Sequence, residues 1–258
     1  MLTDIFDSHA HYDDPRFAED VYALLDSFPQ SGVSGVVSCG VNVETTRFAQ
    51  ALSHRYAFVY AAAGFHPLNL EDVPTDPVAA LAPFFRDAKT VAVGEIGLDY
   101  HYEKESRLQQ LALFEAQLAF AKERELPVIV HDREAHEDTL RLLQKYRPRG
   151  VVHCFSGSAE TAREVLKLGM YIGLGGAVTF KNAVKPVEVA KMVPADRLLV
   201  ETDAPYMAPV PCRGKRCDSR MIAYTAERLA EIRGVDAQDL LHETARNARA
   251  LFGLRAEK

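Results

Sequence analysis

His9 and His11 stand two residues apart in Asp7-Ser8-His9-Ala10-His11, directly after the apolar run that opens the chain. In an extended segment, residues two apart point to the same side, so both imidazoles face one point. On its own such a pair is a weak sign of a metal site. Four later apolar runs end in the same kind of chemistry. Val93-Gly94-Glu95 closes one, Val128-Ile129-Val130-His131 the next, Val151-Val152-His153 a third, and Leu199-Val200-Glu201-Thr202-Asp203 the last. Four imidazoles and two carboxylates exceed what one tetrahedral ion with an open position needs. They suit two divalent ions with Glu95 bridging them, and the chemistry expected is metal-assisted hydrolysis. Histidine ligation favours zinc, whereas carboxylates and a phosphate substrate also suit magnesium or manganese.

Residues this far apart meet only if the fold brings the ends of the apolar runs together. Eight such runs occur, at 5–8, 35–41, 57–64, 91–96, 127–131, 150–154, 169–174 and 197–201. Several are continuous rather than alternating, as strands buried on both faces should be. Helical patterns lie between them. Leu111, Phe114, Leu118 and Ala121 recur at helix spacing within 106–125, and Ile222, Leu229 and Ile232 within 220–233. A last helix is predicted over 244–252, ending at Gly253, with a turn or two before it at 237–242. Eight strands alternating with helices over 258 residues predict a (β/α)8 TIM barrel, one domain spanning 1–258. The alternative, an open doubly wound sheet, lacks its GxGxxG fingerprint after the first strand. In a barrel all strand C-termini share one face, so His9, His11, Glu95, His131, His153 and Asp203 would converge there. Burying Glu95 and Asp203 without compensation would cost several kcal/mol, roughly, which disfavours a purely structural role for the set.

Other residues fall on the same face. His66, in Phe65-His66-Pro67 after the third run, is a candidate substrate contact. Asp99, Tyr100 and Glu201 are candidates to orient the ligating histidines. Phe155-Ser156-Gly157-Ser158 opens a helix with small residues, a setting that can hold an anion. The loop after the eighth run carries Arg213, Lys215, Arg216 and Arg220, cations suited to phosphate. His54, His136 and His242 lie on helical stretches and are expected at the surface.

The net charge of −6 argues against a protein that coats nucleic acid with a basic face, though bound cations would reverse the sign locally. No run of about 18 apolar residues is present, as a spanning helix would need. The first residues lack the basic and apolar regions of a secretory signal, so a cytoplasmic protein is expected. Cys39, Cys154, Cys212 and Cys217 form no CxxC pair and are read as reduced thiols. No coiled-coil pattern argues for an oligomer, and a monomer is expected.

The segments DSHAHYDD, GFHP, GEIGLDY, PVIVHDREAHEDTL, GVVHCFSGS, LLVETDAPYMAP and TARNARALFG, in this order along nearly the whole chain, resemble the TatD family of metal-dependent deoxyribonucleases. The resemblance implies a (β/α)8 fold and hydrolysis of phosphodiester bonds in DNA, with single-stranded ends preferred. It places a two-metal centre on His9, His11, Glu95, His131, His153 and Asp203. It departs from the family pattern at Cys217-Asp218-Ser219, where Asn-Glu-Pro is usual, at Asp132, where Ser is common, and at His101, where an aromatic is usual. The first departure bears on substrate preference.

The reaction expected is in-line attack on phosphorus by a water that two divalent ions acidify. Asp203 is the general base, Glu95 the bridging carboxylate, and His66, Arg213, Lys215 and Arg216 grip phosphate. One rival is an ester or amide hydrolase on the same barrel, for example a deacylase of D-aminoacyl-tRNA. Another is a non-enzymatic metal-binding scaffold, which the intact ligand set disfavours.

Overall fold

The computed structural model describes residues 1–102 and 104–254. Eight strands form one sheet in chain order: β1 (Ile5–Ala10), β2 (Val33–Cys39), β3 (Val59–Ala63), β4 (Thr90–Asp99), β5 (Val128–Arg133), β6 (Gly150–Val152), β7 (Tyr171–Leu174) and β8 (Leu198–Val200). Every neighbouring pair is parallel. Helices alternate with them: α1 (Val21–Asp26), α2 (Val43–Arg55), α3 (Pro77–Leu81), α4 (Arg107–Glu123), α5 (His136–Tyr146), α6 (Ala159–Lys167), α7 (Val184–Met192), α8 (Ile222–Arg233) and α9 (Ala237–Phe252). The sheet curls round until its ends meet. Ala10 bridges Ala204, Asp203 N–H donates to His9 O at 3.0 Å, and His11 N–H donates to Ala204 O at 2.7 Å. This is the barrel expected, and its seam is stitched by the backbone of three candidate ligands.

Side chains alternate across the barrel wall as strand geometry requires. Ile129, Val151 and Leu199 belong to an inner cluster. Their neighbours Val128, Val130, Val152, Leu198 and Val200 pack outward in the layer that includes Leu118, Leu142 and Leu229 of the helices. Two residues beyond each inner residue, at the same parity, come His131, His153 and Glu201. The alternation that fills the barrel with aliphatics thus aims these three groups into its upper end. The bottom of the inner cluster is closed by Ala245, Ala248, Leu251 and Phe252 of α9, with Phe6 stacked on Tyr60 and Phe252.

Some boundaries differ from the sequence expectation. β4 runs on to Asp99, held by its pairing with β5 as far as Asp99↔Arg133. The segments at 237–242 and 244–252 are one helix, α9, because nothing between them breaks it. Asp236 caps its start by accepting from the N–H groups of Gln238 and Asp239, and Gly253 ends it at φ 68°.

Candidate metal centre

Glu95, buried to 3% exposure, is the hub. Its Oε2 faces one pair of imidazoles, 3.5 Å from His9 Nε2 and 3.2 Å from His11 Nε2. Its Oε1 faces another, 2.9 Å from His131 Nδ1 and 2.7 Å from His153 Nε2. Asp203 Oδ1 lies 3.7 Å from both His9 Nε2 and His11 Nε2. The structure therefore brings together all six residues read from the strand ends. Glu95 Oε2 is nearest His9 and His11 and Oε1 nearest His131 and His153, while the rings of His9 and His153 stack at 3.8 Å.

The donor geometry fits metal ions better than hydrogen bonds. His9 Nε2 and His11 Nε2 approach to 2.9 Å. His11 Nδ1 meets the Cys39 carbonyl at 3.0 Å and must donate to it, so Nε2 is the ring nitrogen that faces Glu95 and Asp203. Both ring nitrogens of buried His153 lack a hydrogen-bond partner among the described residues, although Nε2 is 2.7 Å from Glu95 Oε1. Atoms that close and not aligned with one another converge on a common third point. His9, His11 and Asp203 form one group able to hold an ion, His9, Glu95 and His153 another, and His66, Glu95 and His131 a third.

The electrostatics agree. Burial alone would raise Glu95, but His153, His66 and His9 around it hold its carboxyl well below the usual range. Burial pushes Asp203 up to about 6, against the pull of His153 and His11. Burial opposes protonation of His11, yet Glu95 and Asp203 override it and lift the ring to about 9. The centre is a sink for positive charge.

The supporting residues divide. Asp99 Oδ2 accepts from His131 Nε2 at 3.1 Å, which leaves Nδ1 to face Glu95. Glu201 Oε1 accepts from Cys154 N–H and lies 3.6 Å from His153 Nδ1. A Cβ on Gly173 would come within 2.5 Å of Glu201 Oε2, so this glycine makes room for that carboxylate. Tyr100 does not join them. Its hydroxyl donates to Asp138, 2.8 Å away, because β4 has by then carried the side chain out toward α5. His136 is half-buried rather than a surface residue, with Nδ1 2.7 Å from Asp132 Oδ2 at the start of α5. His54 pairs with Asp87, and His242 lies beside Gln238 on α9, both exposed.

His66 reaches the centre, its Nε2 3.4 Å from Glu95 Oε1. Its Nδ1 accepts from Leu68 N–H at 3.1 Å, so Nε2 carries the proton of the neutral ring. Burial keeps the ring neutral by lowering its pKa. In this tautomer His66 presents Nε2–H to the mouth of the barrel. Of the basic loop, Arg213 stacks 4.2 Å over Phe180 and Lys215 is exposed. Arg216 is already committed: both of its terminal nitrogens contact Asp20 at 2.7 Å, and Nη1 also donates to Arg16 O. Arg220 is likewise paired with Asp218. At Phe155–Ser158 the helix N-terminus is capped from within, Ser158 Oγ accepting from Thr161 N–H. A cleft of about 420 Å³ opens there, lined by Cys154, Phe155, Asn182, Lys185 and Met207 among others.

Three groups escaped the sequence reading. Gln117 clamps Phe65, accepting from its N–H at 2.8 Å and donating to its carbonyl at 3.0 Å. Gln110 does the same to Asp99, at 2.8 and 2.9 Å. Asp7 accepts from Thr202 N–H at 3.0 Å, Thr202 Oγ1 at 2.6 Å, Ser219 Oγ at 2.7 Å and His9 N–H at 3.2 Å. Its place two residues before His9 was the available signal.

A barrel with this cluster at the C-terminal ends of its strands defines a metal-dependent hydrolase, and the comparisons specify which kind. The family described as TatD related DNase matches residues 6–253, and the chain belongs to that family. It is 39% identical over 251 residues to the metal-dependent hydrolase YabD of Bacillus subtilis, covering 96% of this chain and 98% of that one. It is 33% identical over 259 residues to the 3'-5' ssDNA/RNA exonuclease TatD of Erwinia amylovora, covering 97% and 100%. The crystal structure of YjjV, a TatD homologue from Escherichia coli, superposes with a TM-score of 0.92 at 35% identity, covering 99% of this chain and all 100% of that one. No helix among the described residues is long and apolar enough to cross a membrane.

Proposed function

We propose that this protein hydrolyses phosphodiester bonds at single-stranded ends of DNA, as an exonuclease holding two divalent ions. The observation that carries the reading is Glu95, whose two oxygens face separate sets of imidazole nitrogens. One ion would be held by His9, His11, Asp203 and Glu95, and the other by Glu95, His131 and His153, with Asp99 and Glu201 behind the second pair. Bound divalent ions supply Lewis acidity, which acidifies water and neutralises charge on a phosphoryl group. The chain's own residues do the rest. Asp203 is the more open carboxylate, its side chain 20% exposed against 4% for Glu95, and it stands farther from the imidazoles. It takes the proton from the attacking water. His66 Nε2–H donates to a phosphoryl oxygen. Arg213 and Lys215 hold flanking phosphates, and Arg216, occupied by Asp20, is left out of that role. The nuclease name of the Erwinia relative supports a nucleic-acid substrate. The reading includes magnesium, manganese or zinc as the metal, and a monomer acting in the cytoplasm.

The test is degradation of end-labelled single-stranded DNA by metal-stripped protein, with each metal added back, beside Asp203→Asn. Stepwise shortening that needs both the metal and Asp203 is expected. An Asn variant with wild-type turnover overturns the general-base role. Absence of cleavage with every metal, in folded protein that binds two ions, overturns the nuclease reading in favour of an ester or amide hydrolase.

A further inference from the structure

The mouth of the barrel carries three aromatic rings, each with a guanidinium laid over it. Arg16 lies 4.1 Å from the ring centre of Tyr206, Arg133 4.7 Å from that of Tyr102, and Arg213 4.2 Å from that of Phe180. All six side chains come from the segments that leave the C-terminal ends of β1, β4, β5, β7 and β8, the face that bears the metal centre. Two of the rings are held out in solvent, Tyr206 at 46% and Tyr102 at 60% exposure. Packing does not explain them there.

Each tyrosine is tied to the centre by one hydrogen bond. Tyr206 N–H donates to Asp203 O at 2.8 Å. Tyr102 N–H donates at 3.0 Å to Asp99 Oδ1, on the carboxylate whose other oxygen meets His131. Asp14 fixes the first pair as a unit, accepting from Arg16 Nε and Nη2 at 2.9 Å each and from the Tyr206 hydroxyl at 3.1 Å. Arg133 and Arg213 have no carboxylate partner among the described residues, in a chain whose net charge is −6.

We propose that these arginine-capped rings form the binding track of the enzyme for single-stranded nucleic acid, with unpaired bases stacking at Tyr206 and Tyr102 and phosphates held by Arg133 and Arg213, while Arg16, paired with Asp14, braces the Tyr206 ring. This rests on the proposed nuclease function and extends it to the residues that select the strand. An exposed ring paired with a cation matches a repeating unit of base and phosphate. A duplex keeps its base faces stacked inside and has none to offer. The track therefore discriminates single strands from duplex without reading sequence.

The experiment measures anisotropy of fluorescein-labelled phosphorothioate dT10, which resists turnover, with the metal-loaded protein. A dT2 probe and a blunt hairpin duplex are run beside it. Wild type should bind dT10 more tightly than either. Tyr206→Ala and Tyr102→Ala should each weaken dT10 binding by about 5- to 100-fold, the range for one lost base stack. The matching Phe variants should restore it to within about twofold. Two phosphate contacts predict that the association constant falls with salt with a log–log slope of about −1.4. Equal affinity of the double Ala variant and wild type for dT10 overturns the track, as does equal wild-type affinity for dT10 and duplex. If the tyrosine-dependent binding is present but no metal supports cleavage of unmodified DNA, the nuclease reading fails and the track stands.

Discussion

Gln117→Leu tests whether α4 holds the active-site loops in place. Gln117 and Phe65 are both fully buried, at 0% exposure. The glutamine amide satisfies the Phe65 N–H and C=O together, at 2.8 and 3.0 Å. Leucine is similar in size but offers no polar atom, so it strands two backbone groups away from water. Each stranded group costs about 1–3 kcal/mol. The leucine side chain recovers about 1–2 kcal/mol from its own burial. The net loss is then about 0–5 kcal/mol, centred near 2.5, which is a fall in Tm of roughly 5–10 °C at the centre for a chain of this size. Urea unfolding of metal-loaded protein measures it. Gln109→Leu, exposed in the first turn of the same helix, is the control and should stay within about 0.5 kcal/mol of wild type. The proposed two-ion stoichiometry should survive in Gln117→Leu, because Phe65 precedes His66, which is not one of the six proposed ligands. Equal stability of the two leucine variants would refute the clamp.

Chelation should lower Tm by roughly 5–10 °C relative to protein with free metal at 100 times its Kd, since binding of one ion at that excess contributes about 2.7 kcal/mol. A Tm indifferent to both chelator and added metal, by differential scanning fluorimetry, would contradict the assignment of the cluster. Gly173→Ala should drive the Glu201 carboxylate away from His153 and Cys154, since its Cβ would lie 2.5 Å from Oε2. Loss of an orienting partner predicts metal affinity about 10–100-fold weaker by calorimetric titration, and an unchanged affinity removes Glu201 from that role. The Arg16 hydrogen bond holds the Asp14 carboxyl at about 2, below its unfolded value of 3.8. A depressed folded pKa means stability present above the unfolded value and lost as pH falls through it toward the folded one. The urea midpoint of wild type should therefore fall further than that of Asp14→Asn between pH 5 and pH 3, and parallel falls would count against the pair.

The cluster at the strand ends was legible in the sequence because its signal is local. Each ligand ends an apolar run, and barrel topology does the gathering. The orientation of the supporting residues was not local. Gln110 and Gln117 read as solvent-facing polar residues until their phase is considered. They lie on the stripe of α4 that also holds Phe114, Leu118 and Ala121, where a glutamine is buried only if backbone groups meet it. Arg216 shows the opposite failure. Its charge was plain, but its partner Asp20 lies 196 residues away in sequence, and only the packing of the β8 loop against the start of α1 consumes it. Tyr100 likewise sits beside Asp99 in sequence and faces a different neighbour, since the chain turns out of β4 after Asp99.

The departure from the family pattern at Cys217-Asp218-Ser219 acquires a different meaning from the one the sequence suggested. All three residues are buried, at 0%, 4% and 0% exposure, so none of them reads substrate by contact. Ser219 Oγ donates to Asp7 Oδ2, and Ser219 N–H donates to the Tyr12 hydroxyl at 3.0 Å. Asp218 caps the turn that begins α8 by accepting from Arg220 N–H at 3.0 Å. Asp7 in turn holds the backbone of His9 and Thr202, the residues on either side of the barrel seam. Burial pushes its carboxyl up to about 7 despite these donors. The segment therefore anchors the long β8 loop beneath the place where His9 and Asp203 meet. Any influence it has on substrate runs through the position of that loop, which carries Tyr206 and Arg213 at its exposed end.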